Sequence, residues 1–183
     1  YYTRVGIAEI YSPSAYGYIY GYLPGITATQ GLRLAVKAQH QQGSASRREN
    51  SITMTPRGFD DSGSEYFIRN VSDSHLLLSA DYVIPVWVGD ISWFSPLFYI
   101  KNFEVTPHLD YGFYKSRIGS ENFSLFSAGA DITAHLANFL WIPYDCRIGF
   151  TFDMNGGKSF DKMKSGGYVS DNHHFGFIFS ISL

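Results

Sequence analysis

The feature that most constrains the fold is an alternation of apolar and polar side chains along residues 103–114. One face would carry the apolar set, which is Phe103, Val105, Pro107, Leu109, Tyr111 and Phe113. The other face would carry Glu104, Thr106, His108, Asp110, Gly112 and Tyr114. A period of two residues predicts a β-strand with one apolar face and one largely polar face.

The same period recurs along the chain and predicts an all-β protein of eight strands, with no helix longer than a turn. The predicted strands cover residues 2–10, 15–23, 26–39, 76–84, 103–114, 122–136, 143–154 and 175–183. Residues 85–97, which include Trp87 and Trp93, are interpreted as a short turn at a membrane interface, where tryptophan is enriched. A loop is expected from Asn155 to Asn172.

Composition favours a membrane β-barrel over a water-soluble β-protein. Charged residues make up 16% of the chain and aromatic residues 17%, and 18 of the 183 residues are Gly. Soluble domains carry roughly 25% charged residues, whereas a barrel wall needs aromatic girdles and an alternating pattern instead of one apolar block. A soluble β-sandwich or a lipocalin-like barrel stays open as the alternative.

Hydrophobicity, net charge, the N-terminal residue and the cysteine count further limit which classes of protein fit the sequence. No stretch reaches the roughly 18 apolar residues of a transmembrane helix. The net charge of −2 does not indicate a nucleic-acid partner. The chain begins at Tyr1 with no signal peptide, so we expect a processed protein or a fragment. The single cysteine, Cys146, allows no internal disulfide.

In a barrel wall, one face of each strand meets lipid and the other faces the lumen. Arg33 and Lys37 alternate with apolar residues along the predicted strand 26–39. A charge on the lipid face at the midplane costs roughly 2–4 kcal/mol, so both side chains are predicted to face the lumen. By the same alternation, His108, His135, Asp131 and Asp153 are interpreted as polar lining of the lumen and not as metal ligands or catalytic groups.

A long polar segment, residues 41–74, separates two of the alternating runs and contains the sequence Thr55-Pro56-Arg57-Gly58-Phe59. Loops of this length are uncommon in compact domains and are often functional. The tripeptide Arg57-Gly58-Phe59 resembles the Arg-Gly-Phe/Tyr tip of the long inward-folded loop in BamA/TamA/FhaC-type barrels, the bacterial surface-antigen superfamily.

The order of the later segments adds to this resemblance. In that superfamily the long loop precedes the last five strands of a sixteen-stranded barrel. The segments here that resemble those strands are, in order, Ala80–Pro85, Leu109–Gly112, Ser127–Asp131, Ile142–Phe152 and Phe175–Leu183. The last ends in Leu183, where outer-membrane proteins usually have Phe or Trp. The resemblance implies that residues 1–183 are part of a transmembrane antiparallel β-barrel, the C-terminal half of a sixteen-stranded one, with an inward-folded loop at about 41–74.

The resemblance also implies a site that we call the loop lock, formed by Arg57, Gly58, Phe59, Asp81 and Asp110. Arg57 would enter the lumen and meet the two carboxylates on the wall, and alternation independently places both of them on the lumen face. Gly58 would permit a tight turn, and Phe59 would anchor the tip. In the alternative reading, Arg57 lies in a solvated loop and the two acids line a wet interior.

The function implied by the resemblance is the assembly or translocation of other outer-membrane or surface proteins in the bacterial outer membrane, without enzymatic activity or a cofactor. Expected partners are outer-membrane lipids and client proteins, and accessory lipoproteins or further barrel subunits stay open. The alternative is a complete eight-stranded barrel with an adhesin or structural role. Its lumen would be filled by side chains, so the long loop would have to extend outward. No grouping of Ser, His and a carboxylate supports a lipid hydrolase.

Overall fold

The computed structural model describes residues 14–41, 52–59, 62–93, 98–117, 121–139, 145–169 and 171–182. They form one antiparallel sheet whose seven strands follow each other in space as they do in sequence, so the prediction of an all-β chain is confirmed. The strands are β1 (Ser14–Pro24), β2 (Gly31–Gln41), β3 (Ser72–Trp93), β4 (Phe98–Ser116), β5 (Phe123–Phe139), β6 (Asp145–Gly157) and β7 (His173–Ser182). Two helices, α1 (Ser62–Val71) and α2 (Phe160–Ser165), precede β3 and β7.

The sheet is open in the part of the chain that the structure describes. Each strand pairs with its sequence neighbour, and no pairing joins β1 to β7 among these residues. The predicted first strand, residues 2–10, lies outside the described residues. The predicted strand at 26–39 begins only at Gly31, because residues 25–30 form a turn closed by a hydrogen bond of 3.0 Å from Gly25 N to Gln30 O.

The prediction of a turn at residues 85–97 is wrong for residues 85–93, which continue β3 as far as Trp93. Proline lacks a backbone donor and is tolerated inside a sheet mainly at bulges. The pairing of β3 with β4 shifts register between Pro85 and Trp87 and again between Val88 and Ile91. These irregularities explain how the strand continues past Pro85.

The prediction that the chain has no helix longer than a turn is also wrong, since α1 has 10 residues and α2 has 6. Helix α1 carries Glu65 in its first turn and Arg69 in its last, which complements the helix dipole. Its apolar side chains, Phe67, Ile68 and Val71, pack on the cluster described below. Helix α2 replaces part of the loop predicted at 155–172, whose first residues belong to β6.

The two faces of the sheet have opposite character. The outer face exposes apolar side chains, among them Leu34, Val36, Leu76, Leu78, Leu109, Phe113, Phe126, Ile132, Phe150, Phe152, Phe175 and Phe177. The inner face buries mainly polar ones, among them Asp81, Thr106, His108, Asp110, Ser127, Thr133, Asp153 and Asn155. A soluble half-buried sheet has the reverse arrangement, with its apolar face inside.

The two longest connections, residues 42–71 and 158–172, leave the sheet at the same end. They share a small apolar cluster with the adjoining strands, formed by Phe59, Ile68, Tyr114, Phe123, Leu125, Phe160, Met163 and Val169. A hydrogen bond of 3.2 Å from Ser64 Oγ to Tyr168 O also joins the two connections. Together they cover this end of the inner face. No described helix is long and apolar enough to cross a membrane.

Candidate functional site

The loop tip is a tight turn over residues 56–59. Phe59 N donates a hydrogen bond of 3.2 Å to Pro56 O, and Gly58 has a φ of +79°. These values fit a type II turn with Arg57 and Gly58 at its centre, because the second central residue of such a turn needs a positive φ. Glycine adopts that conformation without steric cost, so the turn directs Arg57 to the wall on one side and Phe59 to the apolar cluster on the other.

Arg57 is bound to Asp110 on β4 through three donors. The backbone N and Nε of Arg57 each lie 2.9 Å from Asp110 Oδ2, and Nη2 lies 2.9 Å from Asp110 Oδ1. The guanidinium therefore grips the carboxylate in the bidentate geometry that favours arginine over lysine. The Asp110 side chain is 3% exposed, so it needs a cationic partner in this position.

Asp81 on β3 is shared between two arginines. Nη2 of Arg57 contacts Asp81 Oδ1, and Arg33 on β2 places Nε and Nη2 at 2.8 and 2.6 Å from Asp81 Oδ2. Register explains the second contact, because Arg33 and Asp81 are directly opposite in the β2–β3 pair. The result is a chain of alternating charges, Arg33–Asp81–Arg57–Asp110, that links three adjacent strands to the loop tip.

The electrostatic environment keeps Arg57 charged. Burial by itself lowers the pKa of the guanidinium, but hydrogen bonds and Coulombic attraction to Asp110 and then to Asp81 outweigh burial and raise the pKa above its ordinary value. An arginine is already protonated at any physiological pH. Titration of Arg57 therefore does not break the ion-pair chain.

Gly58 lies against β6 in a space that no side chain could share. Asn155 Nδ2 donates a hydrogen bond of 2.7 Å to Gly58 O. A Cβ added to Gly58 would lie 2.6 Å from Asn155 Oδ1 and 2.7 Å from the Cβ of Asp153. Close approach and positive φ together explain why this position holds glycine.

Phe59 is fully packed, with 1% of its surface exposed. Its ring meets Phe160 of α2 edge-on, with centroids 6.0 Å apart. Just before the turn, Tyr114 Oη donates a hydrogen bond of 2.8 Å to Met54 O. Each residue of the proposed loop lock thus has a defined position, and the structure brings Arg57, Asp81 and Asp110 into direct contact while Gly58 and Phe59 touch other partners.

Sequence reasoning missed a second polar cluster beneath the tip. His108 Nε2 lies 2.6 Å from Asp153 Oδ1, and His174 Nδ1 lies 3.4 Å from Asp153 Oδ2. Asp131 approaches the other ring nitrogen of His108 at 3.7 Å. Alternation placed His108, Asp131 and Asp153 on the inner face, but only the register of β4, β5 and β6 shows that they meet. His135 is apart from them, near Glu104.

The chemistry available at the site is ion pairing and hydrogen bonding. Within the described ranges, no three His, Cys, Asp or Glu side chains are arranged to hold a metal ion. The carboxylates nearest the tip are all engaged by arginine or histidine. No protein-family model, curated protein or solved structure matches the chain.

We predict that Arg57→Ala lowers the free energy of unfolding by about 3 kcal/mol, because it leaves buried carboxylates without their cation. Asp110→Ala added to that variant should cost little more, giving strong coupling in a double-mutant cycle. Urea unfolding of the purified protein measures both quantities. The exposed pair Lys101–Asp145, 2.8 Å apart on the same sheet, is the matched control, and its coupling should be much weaker because both side chains are solvated. Additive losses for Arg57 and Asp110 would contradict the prediction.

Gly58→Ala should lower the free energy of unfolding by about 2–3 kcal/mol, through backbone strain and collision with Asn155. Gly167 separates the two causes, since its φ of +73° is similar but nothing lies within 4 Å of an added Cβ. Gly167→Ala should therefore cost only about 1 kcal/mol. Equal losses in the two variants, measured by the same unfolding assay, would show that the close approach at Gly58 does not contribute to the free energy of unfolding.

Proposed function

We propose that this chain is part of an outer-membrane β-barrel of the BamA/TamA/FhaC type, which assembles or translocates other outer-membrane or surface proteins. The observation that carries the proposal is the contact of the Arg-Gly-Phe tip with the inner face. Arg57 binds acidic residues on two neighbouring strands, and these are the positions at which that superfamily is expected to hold its loop.

The distribution of side chains supports a membrane location. The middle of the outer face is apolar across several strands, as shown by the adjacent Val105, Ile132, Phe150 and Phe177 in successive strand pairs. The buried carboxylates Asp81, Asp110 and Asp153 are on the inner face, and each is paired with an arginine or a histidine. Lipid in contact with the outer face would remove the cost of exposing so many apolar side chains to water.

The unequal ends of the sheet support an orientation. In outer-membrane barrels, short turns face the periplasm and longer loops face the exterior. By that rule the connections 42–71 and 158–172 would be at the end of the sheet that faces the cell exterior, and the end of β7 would be at the periplasmic end. A bacterial outer membrane is therefore the proposed location, with outer-membrane lipids and client proteins as partners. The proposed function requires no catalytic group and no cofactor.

An open sheet edge cannot remain in lipid, because each unpaired backbone group there costs several kcal/mol. In the complete barrel, β1 and β7 would then have to pair either with each other, which closes the sheet, or with further strands. The inner position of the loop tip favours a wide barrel over a closed eight-stranded one, whose interior has room only for its own side chains. This is the physical reason to prefer a sixteen-stranded wall to the smaller adhesin-like barrel.

A reconstitution assay tests the proposed function. The full-length protein in lipid vesicles should accelerate folding of a urea-unfolded outer-membrane barrel protein, followed by the gel-mobility shift of the folded client. Arg57→Ala should reduce the rate several-fold because the tip loses its hold on the wall, whereas Lys101→Ala should match the unmodified protein. A rate equal to that of empty vesicles would overturn the proposal.

The membrane location has its own test at Ile132, which is 58% exposed on the outer face. Ile132→Arg should lower the free energy of unfolding in lipid vesicles by about 2–4 kcal/mol, the cost of a cation at the bilayer midplane. Ile132→Met keeps the side chain apolar and should cost less than about 1.5 kcal/mol. A change within about 0.5 kcal/mol for the arginine variant is typical of a water-exposed surface and would contradict a lipid-facing position.

A further inference from the structure

A cleft of about 320 Å³ lies beside the loop lock, between the inner face of β1–β2 and the loop segment that leads to the tip. Tyr20, Tyr22 and Lys37 line its strand side, and Thr53 and Thr55 line its loop side. This volume is within the range of ligand-binding sites in proteins. Arg33 and the loop-lock residues Arg57, Asp81 and Asp110 also line the cleft, so it borders the ion-pair chain directly.

Tyrosines form a regular row along β1. Tyr16, Tyr18, Tyr20 and Tyr22 are all on the inner face, and each is between 51% and 76% exposed. Alternate residues of a strand are about 6.8 Å apart. Tyrosine offers a large apolar ring with a polar tip, a combination enriched in binding surfaces. These exposed rings contrast with the mainly buried polar side chains that β3 to β6 carry on the same face.

Two cations flank this row from β2. Lys37 is directly opposite Tyr18 and Arg33 directly opposite Tyr22, while the small Ala35 is opposite Tyr20 between them. The ion pairs among the described residues do not include Lys37. Arg33 remains 42% exposed after pairing with Asp81. The two cations are four strand residues apart, which is about 13–14 Å.

We propose that this tyrosine–lysine cleft binds an extended polypeptide segment of the client that carries acidic side chains four residues apart. The inference rests on the proposed function and names the kind of substrate segment that the inner face contacts. An extended chain has the same repeat as β1, so every second side chain of the segment would meet a tyrosine. Acidic side chains at positions i and i+4 would reach Lys37 and Arg33, and the residue at i+2 would fit over Ala35.

Synthetic peptides test this spacing directly. The probes are fluorescein-labelled Gly/Ser peptides with a central Phe and two Glu residues, placed either at i and i+4 or at i and i+3. In an extended chain the i,i+3 pair points to opposite faces. Fluorescence anisotropy with the full-length protein in lipid nanodiscs should show the i,i+4 peptide binding about fivefold tighter.

Variants of the cleft identify which side chains are responsible for recognition of the peptide. Lys37→Ala should remove the preference for the i,i+4 peptide, and Lys37→Arg should keep it. Tyr20→Ala should weaken binding, whereas Ile19→Ala, the adjacent residue on the opposite face of β1, should not. Equal affinity for the two peptides, or a preference that survives Lys37→Ala, would overturn the proposal. So would binding of polygalacturonate together with no binding of either peptide, because it would indicate an acidic glycan as the ligand.

The peptide experiment and the folding assay test two separate hypotheses, and either hypothesis can be rejected without the other. If the full-length protein accelerates client folding but shows no spacing preference, the cleft inference is wrong and the proposed function stands. If the peptides bind with the expected preference and client folding is not accelerated, the cleft recognises acidic extended chains and the assembly function is wrong.

Discussion

Two carboxylates on the inner face, Asp81 and Asp110, determine how the described part of the chain is organised. Each is at most 8% exposed, and a buried carboxylate without a partner is costly enough to disfavour the fold. β2 supplies Arg33 to only one of them, so the loop must supply Arg57 to the other. The position of the loop tip thus follows from a charge requirement on the inner face of the sheet, and the turn geometry at Gly58 follows from the position of the tip.

The apolar cluster and the ion-pair chain have complementary effects. Phe59, Ile68 and Phe160 hold the two long connections together without specifying where they lie along the strands, because apolar contacts are weakly directional. Arg57 determines the position of the tip along the strands, because its rigid set of donors fits one pair of carboxylates in one orientation. Burial provides much of the adhesion and the arginine fixes the register of the loop against the wall.

The elements that were predicted well from sequence are those whose signal is local. β4 alternates cleanly, so its faces and the inward position of Asp110 were both predictable. The extension of β3 past Pro85 was not, because bulges that accommodate proline depend on the partner strand. Helix α1 was not predicted because its first turn is polar. Its apolar side chains form a packing face only through their contacts with the cluster that contains Tyr114 and Phe123. Contacts such as Asn155 with Gly58 depend on register across several strands, which one sequence does not specify.

The tip also has a mechanical consequence. Arg57 contacts β3 and β4 while Gly58 accepts a hydrogen bond from Asn155 on β6, so the turn spans the inner face of the sheet across β5. The two-residue segment Arg57-Gly58 therefore connects strands that are not neighbours in the sheet, through contacts that are separate from the ladder hydrogen bonds.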